Sequence, residues 1–357
     1  MSFSIEQRAR LTQSVKDEAK RLGFEIVGIA RADRPLTDDF AHYEAFVDAG
    51  LHGEMAYLEA DREIRRSLDG PGMLEGARSV VCVARSYKRP ETELASDRGL
   101  ARSVARYARG QDYHNGLRKK LRKLAVYLRG LGEGVGARPL IDDAPILERA
   151  WAARAGLGFV GKNGLLIVPG HGSFVLLGEV VTTLELVPDD PLPGRCGACT
   201  LCLDACPTAA FPSPFVLDAR RCIAYLTIEA KSVAPPLLRE SIGTHFFGCD
   251  VCQDVCPFNR GRSEGSDLRP FRPHAELEAL SLDDALSLDD ERYARLKEGS
   301  PIGRPGRDGL RRNAAIALGN RGATTDRATL ERHRDDASTD VREAVRWALS
   351  TLDEHGK

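Results

Sequence analysis

The chain has 357 residues, of which 42% are hydrophobic and 29% are charged, a length and composition that suit two or three globular domains. Its formal net charge of −1 excludes a global electrostatic attraction to nucleic acid or to an anionic membrane, so such a partner must bind a local patch. The N-terminal residues lack the pattern of a secretory signal, and no apolar run is long enough to span a membrane. We therefore expect a cytoplasmic protein that acts without a membrane.

Residues 1–190 combine helical and strand patterns, which predicts an N-terminal domain of the α+β or α/β class. Apolar residues recur every three or four positions in the predicted helices, and the helix from Leu117 to Leu131 has a basic opposite face. Gly23 suits the end of the first helix, because glycine readily adopts the left-handed conformation found there. The predicted elements are helices over 4–22, 117–131 and 144–155, and strands over 24–30, 79–84 and 173–186.

The second half of the chain changes character twice. Residues 191–260 are rich in Cys, Pro and Gly with little apolar periodicity, so an inorganic group must supply the stability that a small apolar core cannot. Residues 261–275 are polar and predict a linker. Residues 276–357 have helical periodicity, and the similar segments 310–320 and 340–349 stand about 30 residues apart, which predicts an all-α domain of HEAT-like repeats.

Eight of the nine cysteines lie between Cys196 and Cys256. The cytosol keeps thiols reduced, so cysteines clustered in this way predict metal ligands rather than disulfides. The first run, Cys196-x2-Cys199-x2-Cys202-x3-Cys206-Pro207, is typical of ferredoxins with two [4Fe–4S] clusters, in which the fourth cysteine binds the other cluster. The second run, Cys249-x2-Cys252-x3-Cys256-Pro257, has one cysteine fewer, and Cys222 is the nearby cysteine that can supply the missing ligand. We assign one cluster to Cys196, Cys199, Cys202 and Cys256, and the other to Cys206, Cys222, Cys249 and Cys252.

Structural zinc is the alternative, because four-cysteine zinc sites also use C-x2-C pairs. Zinc sites seldom combine a four-cysteine run that ends in Cys-Pro with a second run that also ends in Cys-Pro, so the pattern favours iron–sulfur clusters. Cys82 lies in an apolar stretch and is predicted to be a buried strand residue without a redox role.

Two short motifs match cofactor signatures without their structural context. Gly156-Leu157-Gly158-Phe159-Val160-Gly161 fits a dinucleotide fingerprint, but the residues before it predict a helix where that motif requires a strand. We interpret the glycines as a helix end that lets the backbone approach a ligand. Asp112-Tyr113-His114 is similar to the start of a signature in which histidine binds cobalt, yet the next glycine is one position early. A loop or capping role is therefore expected for His114.

Asp142 and Asp143 follow an apolar, strand-like stretch. A partly buried carboxyl at a strand end has a raised pKa and can donate a proton, whereas an aspartate before a helix can cap that helix. The residues alone leave both interpretations open. The basic clusters at 102–123 and 304–312 either bind phosphates or form solvated helix faces, and this choice is open too.

Several motifs, in order along nearly the whole chain, resemble those of the epoxyqueuosine reductase family. They lie at 52–58, 106–114, 141–149, 161–163, 221–229, 247–259 and 311–320, and include Ile141-Asp142-Asp143-Ala144-Pro145 and Phe247-Gly248-Cys249-Asp250-Val251-Cys252. The resemblance implies an oxidoreductase that reduces epoxyqueuosine, at the wobble position of tRNA anticodons, to queuosine in the last step of queuosine biosynthesis. It also implies that electrons pass through the two clusters to cobalamin.

The resemblance further implies the arrangement of the sites. Cobalamin is expected between the N-terminal domain and the ferredoxin-like domain, with Asp142 as the proton donor. The partners implied are tRNA and an unidentified electron donor protein, and we expect a monomer. Asp143 departs from the family pattern, in which a small, often hydroxylated residue is usual.

The resemblance also indicates, by position along the chain, which residues are expected to contact the cofactor and the RNA. The expected cobalamin contacts are Arg65, Tyr107, Asp142, Lys162, Asn163, Tyr225, Thr227, Asp250 and Gln253. The expected tRNA contacts are Arg304, Arg307, Arg311, Arg312 and Asn313.

Three other functions fit parts of the sequence: a ferredoxin fused to a binding domain, a relative of reductive dehalogenases, and a tRNA-binding module without catalysis. The first would bind no corrinoid. Dehalogenases usually carry a twin-arginine export signal and lack a helical-repeat tail, so the sequence disfavours the second. Substitution of Asp142 tests the third, because a protein that only binds has no turnover to lose.

Overall fold

The computed structural model describes residues 4–89, 99–261 and 269–355. Its helices and strands are α1 (Ile5–Arg21), β1 (Ile26–Arg31), α2 (Thr37–Asp48), α3 (Arg62–Arg66), β2 (Ser79–Ser86), α4 (Tyr113–Arg129), β3 (Ala137–Leu140), α5 (Glu148–Arg154), β4 (Phe159–Val160), β5 (Leu166–Ile167), β6 (Val175–Thr182), α6 (Leu201–Asp204), α7 (Ile223–Ile228), α8 (Pro236–Ile242), α9 (Val251–Asp254), α10 (Ala275–Ala279), α11 (Leu282–Leu286), α12 (Asp290–Lys297), α13 (Gly306–Arg321), α14 (Arg327–Arg332) and α15 (Thr339–His355).

A four-stranded sheet in the order β1-β2-β6-β3 forms the centre of the N-terminal part, and every neighbouring pair is antiparallel. Alternate residues of β2 face opposite layers, as the two-residue period of a strand requires. Val81 and Val83 pack with α1 and α4, while Val80, Cys82 and Ala84 pack with α2 and α5. Helices therefore cover both faces of an antiparallel sheet, and this part is α+β rather than α/β.

Most predicted elements of the N-terminal part are confirmed. The first helix begins at Ser4, whose side chain forms a capping box with Gln7, and ends before Gly23, whose φ is 85°. The predicted helix over 144–155 begins only at Glu148, so its first turn was predicted too early. Helix α5 then ends at the glycine motif, as expected, with Gly156 at a φ of 74°.

The helical part shares one apolar core with two earlier segments of the chain. Residues 100–108 and 219–247 contribute buried side chains to the same core as residues 277–352. Within this core α13 packs along α15, which are the helices of the two similar sequence segments. Every residue from 310 to 319 is buried, so α13 is the central helix of this part.

The predicted linker over 261–275 falls partly outside the described residues, at 262–268. Its remaining end is packed against the N-terminal part. Phe271 is buried with its ring centre 6.2 Å from that of Tyr87, and the backbone N–H of Gln111 donates to the carbonyl of Pro270 at 2.8 Å. This end therefore fixes the helical part against the sheet.

Candidate functional site

The first group of thiols consists of the four cysteines predicted for one cluster. Burial raises the pKa of Cys202, and the nearby thiols of Cys256, Cys196 and Cys199 raise it further. The pKa of Cys256 rises for the same reasons, burial first and then Cys196 and Cys199. The last cysteine of the second run therefore lies with the first three cysteines of the first run, as the ferredoxin rule predicts.

The second group is formed by the other four ligands predicted. Burial raises the pKa of Cys249 to about 12, and Cys222, Asp250 and Cys206 add to the rise. The pKa of Cys252 is raised by burial and then by Cys249 and Cys222. The thiol of Cys202, from the first group, also acts on Cys252, so the two groups are neighbours.

Two copies of one local structure present these thiols. Each run enters a four-residue helix, α6 or α9, and the residues before them, Thr200 and Asp250, have φ and ψ of −125° and 5° and of −113° and 5°. The two helices pack against each other. The last cysteine of each run, Cys206 or Cys256, can therefore cross to the other group.

The thiol chemistry fits iron–sulfur clusters. All nine cysteines are free thiols, and a buried thiol with a raised pKa is costly to ionise without a cation. Iron in a bound cluster takes the thiolate form and removes that cost. No three acidic, histidine or cysteine side chains converge as ligands of a single ion within the described residues. A cubane holds its four thiolates further apart than one zinc ion does, so this spacing is compatible with clusters.

Asp142 lies against the first turn of α4. The hydroxyl of Tyr113 donates to Asp142 Oδ2, and His114 Nε2 lies 3.0 Å from Asp142 Oδ1. Burial opposes ionisation of Asp142, but hydrogen bonds from His114 and Tyr113, with the charges of His114 and Arg118, hold its pKa below the ordinary value. The predicted rise in this pKa is wrong, because burial is outweighed by the partners of the carboxylate.

The alternative capping role of the two aspartates is also wrong. Helix α5 begins after Leu147, which makes no capping hydrogen bond, and Asp143 instead forms an ion pair with Arg118. Asp142 is therefore free of any helix-capping role and is held by α4.

His114 is held between two carboxylates. Its Nδ1 lies 2.6 Å from Asp112 Oδ1, and its ring stacks on Tyr113 with 4.1 Å between ring centres. The hydrogen bond with Asp142 raises the pKa of His114 to about 9, burial acts in the opposite direction, and Asp112 adds to the rise. Asp112 itself caps α4 by accepting from the backbone N–H of His114 at 3.0 Å. The capping role predicted for His114 thus belongs to Asp112.

Residues from three parts of the chain surround Asp142. The charge of Asp142 raises the pKa of both Tyr57 and Tyr107. Glu229 also raises these two pKa values, and Arg304 lowers them. Arg304 donates to Glu229 at 3.1 Å and lies over the ring of Tyr57, 5.8 Å from its centre. The N-terminal part, helix α7 with the residue after it, and the start of the helical part therefore meet around this carboxylate.

Two of the expected cofactor contacts, Lys162 and Thr227, support the cysteine loops. Lys162 donates to the carbonyls of Gly197 and Cys199 at 2.8 and 2.9 Å. The hydroxyl of Thr227 accepts from the backbone N–H of Gly248, directly before the second cysteine run.

Gln253 belongs to a buried network at the edge of the second run. Its side chain bonds Ser173 at 2.9 Å and Asp250 at 3.1 Å. Asp250 also accepts from the backbone N–H of Arg106 at 2.7 Å. Contacts of these residues with cobalamin remain predictions.

One of the expected cobalamin contacts, Asn163, has a buried polar atom that suits a bound group with its own hydrogen-bonding groups. Within the described part of the chain, Asn163 Nδ2, Trp151 Nε1 and both carboxyl oxygens of Glu179 are buried without a partner. Arg65 and Tyr225, by contrast, bond inside the protein, Arg65 to the carbonyl of Tyr57 at 2.9 Å and Tyr225 to the backbone N–H of Glu54. Asn163 is thus the expected contact best suited to cobalamin, which presents many amides.

The structure overturns three of the five expected tRNA contacts. Arg312 is 1% exposed and donates to the carbonyls of Leu226, Ala230 and Ser232, and Asn313 is 2% exposed and donates to those of Thr227 and Phe246. Arg311 is buried against Asp336 and the carbonyl of Leu286. These side chains hold the helical part to the cysteine-rich segment and leave no surface for RNA.

The other two expected contacts remain accessible. The side chain of Arg304 is 56% exposed and that of Arg307 is 33% exposed. Both make ion pairs, Arg304 with Glu229, and Arg307 with Asp290 and Asp308.

The partners of Asp142 could not be recognised from the sequence. Tyr113 and His114 lie in the Asp112-Tyr113-His114 motif, but no local sequence pattern shows that a carboxylate 28 residues after His114 lies against it. Arg106 was missed for the same reason, since its partner Asp250 lies 144 residues further along the chain.

Two parts of the chain match known families. Residues 195–259 match the 4Fe-4S double cluster binding domain, and residues 69–143 match a family described as epoxyqueuosine reductase QueG, DUF1730. The first match includes all eight cysteines of the two groups, which confirms clusters over zinc.

Relatives along most of the chain are named epoxyqueuosine reductase. The protein from Gloeobacter violaceus is 44% identical over 315 residues, 86% of this chain and 96% of the relative. The protein from Pseudomonas aeruginosa is 41% identical over 353 residues, 98% of this chain and 96% of the relative.

Solved structures agree with these relatives. A crystal structure of epoxyqueuosine reductase with a tRNA-Tyr epoxyqueuosine-modified tRNA stem loop has a TM-score of 0.85 at 29% identity, covering 96% of this chain and 90% of that chain. The epoxyqueuosine reductase from Streptococcus thermophilus has a TM-score of 0.85 at 29% identity, covering 97% and 91%. In the described part of this chain, every helix is too short or too polar to cross a membrane.

Proposed function

The chain belongs to the epoxyqueuosine reductase family, and from this premise we propose that it reduces epoxyqueuosine in the anticodon of tRNA to queuosine. The observation that carries the proposal is that one chain has both two neighbouring four-thiol groups and a carboxylate, Asp142, that is held by Tyr113 and His114. The first feature suits single-electron delivery and the second suits proton delivery, and reductive opening of an epoxide needs both.

Cofactors supply the electron chemistry. Each four-thiol group would hold one [4Fe–4S] cluster, and the electrostatic effect of Cys202 on the pKa of Cys252 places the groups close enough to support electron passage between them. Cobalamin, when bound, supplies a low-valent cobalt that can reduce a carbon–oxygen bond. Asn163, with its unpartnered amide nitrogen, and Lys162, beside the first thiol group, would hold it on the cluster side.

Asp142 would handle the proton that the departing oxygen requires. Its position between a tyrosine hydroxyl and an imidazole keeps the carboxylate oriented, and a positioned proton donor contributes roughly 10²–10⁴-fold to a rate. Tyr57 and Tyr107, within reach of the charge of Asp142, would line the space that receives the modified base.

Two basic surfaces would bind the RNA backbone. Arg304 and Arg307 are accessible at the start of α13, and Lys119, Arg122 and Lys123 are exposed along α4. Arg118, on the same helix, pairs with Asp143 beside Asp142, so the α4 face adjoins the proposed site of reaction. Phosphates next to an extruded base would lie near it.

The domain arrangement forms part of the proposal. We assign 1–190 to cobalamin and substrate binding, 191–260 to the clusters, and 276–357 to a HEAT-like tRNA-binding domain joined by the linker 261–275. The core that residues 100–108 share with the helical part supports a fixed placement of these domains. A monomer acting in the cytoplasm, where tRNA is modified, completes the proposal.

Mass spectrometry of tRNA nucleosides tests the function. Cluster-loaded protein with cobalamin, a reductant and epoxyqueuosine-tRNA is expected to yield queuosine, with loss of one oxygen atom. Asp142→Asn is expected to lower kcat by roughly 10²–10⁴-fold with little change in tRNA affinity. Asp143→Asn, the neighbouring carboxyl, is the control and is expected to turn over normally. Unmodified epoxyqueuosine with wild-type protein would overturn the proposal.

A further inference from the structure

We propose, on the premise that the chain has the function set out above, that His114 stores the proton that Asp142 delivers to the departing epoxide oxygen. His114 acts through Asp142, so it is a positioning residue that also supplies charge. The sequence motif around it assigned it no such task.

The geometry fixes which nitrogen of His114 faces the carboxylate. Asp112 Oδ1 lies 2.6 Å from Nδ1, and Asp112 is itself fixed because it caps α4 through the backbone N–H of His114. The stacked ring of Tyr113 sets the plane of the imidazole. Nε2 is therefore aimed at Asp142 Oδ1, 3.0 Å away, without freedom to rotate.

The charges around the pair place the mobile proton on the imidazole. The groups that face His114 are Asp112, Tyr113, Asp142 and Glu148, with Arg118 beyond Asp142. Asp142 and Asp112 stabilise the imidazolium against the opposing effect of burial and raise its pKa to about 9, while the pKa of Asp142 lies below its ordinary value.

Tyr113 does not compete for this role. Burial and the neighbouring Asp142 raise the pKa of its hydroxyl well above the ordinary range of tyrosine. At neutral pH the proton is therefore held by His114, and Asp142 is the carboxylate that receives it and passes it on.

The proton balance follows directly. The reduction consumes two electrons from the clusters and two protons, and the epoxide oxygen leaves as water. One proton passes from His114 Nε2 to Asp142 Oδ1 and from there to the oxygen as its carbon–oxygen bond breaks. His114 is left neutral and takes a proton from solvent, to which its side chain is 29% exposed, and this second proton follows the same route to complete the departing water.

His114→Gln tests the store, because an amide can donate to Asp142 but cannot carry an ionisable proton. We expect kcat to fall roughly 10- to 100-fold while KM for tRNA changes less than about threefold. In the pH–rate profile, the wild-type rate is expected to fall above about pH 9, where His114 loses its proton. This alkaline limb of the profile is expected to move to lower pH in His114→Gln. Gln111→Ala, an exposed neighbour, is the control.

Asp112→Asn provides a second variant that keeps the imidazole and weakens its charge. Its alkaline limb is expected to lie between those of the wild type and His114→Gln. Circular dichroism of all variants checks that they fold. A wild type that converts epoxyqueuosine, together with a His114→Gln variant of equal kcat and pH profile, would overturn the proton store. An inactive wild type would instead overturn the proposed function.

Histidine titration by NMR gives a readout that needs no turnover. In full-length protein with ¹³C-labelled histidine, the signal lost in His114→Gln identifies His114 among the eight histidines. It is expected to titrate near 9 in the wild type and at lower pH in Asp142→Asn, which keeps only the contribution of Asp112. Titration near 6.5 in the wild type would contradict the proposal.

Discussion

The guanidinium of Arg304 lies 5.8 Å from the ring centre of Tyr57 and donates to Glu229 at 3.1 Å. This contact joins the start of the helical part to two other parts of the chain near Asp142, whose charge acts on Arg304 and on Tyr57. A guanidinium held over an exposed tyrosine at this position can bind an RNA phosphate with little change in its conformation. We therefore expect Arg304 to connect RNA binding with the proposed site of reaction.

Arg304→Ala is expected to weaken binding of the tRNA stem loop roughly 3- to 10-fold and to reduce the salt dependence by about one counterion. Fluorescence anisotropy over a range of salt concentrations measures both. Arg334→Ala removes an equally exposed arginine that is also paired with a glutamate, and it is expected to leave affinity unchanged. Equal losses in both variants would show a general charge effect instead of a local contact.

Cys222→Ser tests the least obvious cluster ligand. Cys222 lies outside both cysteine runs, yet Cys206 raises the pKa of its thiol. Cys222 in turn raises the pKa of Cys249 and of Cys252. Loss of one ligand is expected to empty the second group, so iron should fall from about eight to about four atoms per chain. Iron and sulfide analysis of anaerobically purified protein measures this.

Cys82→Ala is the matched control for the cluster ligands. Cys82 is fully buried in β2, among apolar residues. Its loss is expected to leave the iron content intact, although the smaller side chain lowers stability by about 1 kcal/mol. Zinc in place of iron in the wild type would contradict both cluster assignments.

The sequence was most informative where the determinants are local. Ligand spacing within the runs around Cys202 and Cys252 depends on a few residues, and so does the end of the first helix at Gly23. The crossing of Cys256 to the first group was also predictable, because it follows from a repeated local structure.

Contacts between distant residues could not be predicted in this way. The direction of the pKa shift of Asp142 depends on His114, which only the tertiary structure brings beside it. Arginine is usually exposed, so Arg311 and Arg312 looked like an RNA surface. They are buried because α13 is covered on all sides and their guanidinium groups satisfy carbonyls of neighbouring segments.

The α4 face offers a test of the second basic surface. Lys119→Ala with Lys123→Ala is expected to weaken tRNA binding roughly 10-fold and to reduce the salt slope by about two counterions. The control is Arg10→Ala with Lys20→Ala, which removes two exposed cations from α1. An unchanged salt slope in the α4 variant would show that this face is only solvated.

Asn313→Ala separates a structural role from an RNA contact. The amide of Asn313 donates to the carbonyls of Thr227 and Phe246 at 2.7 and 3.0 Å, and its loss leaves two buried acceptors without a donor. Such a loss costs about 1–3 kcal/mol, so the melting temperature should fall by several degrees while the folded protein binds tRNA with wild-type affinity. Thermal unfolding and anisotropy measure the two effects.

Arg307→Ala on the same helix is the reciprocal control for Asn313→Ala. Its side chain is accessible and its ion pairs are with exposed or half-exposed carboxylates, so its loss should change stability by less than about 0.5 kcal/mol. Its RNA affinity should fall, because the surface loses a phosphate-binding charge. The opposite pattern, with Asn313→Ala stable but weak in RNA binding, would return Asn313 to the RNA surface and require α13 to expose this face when tRNA binds.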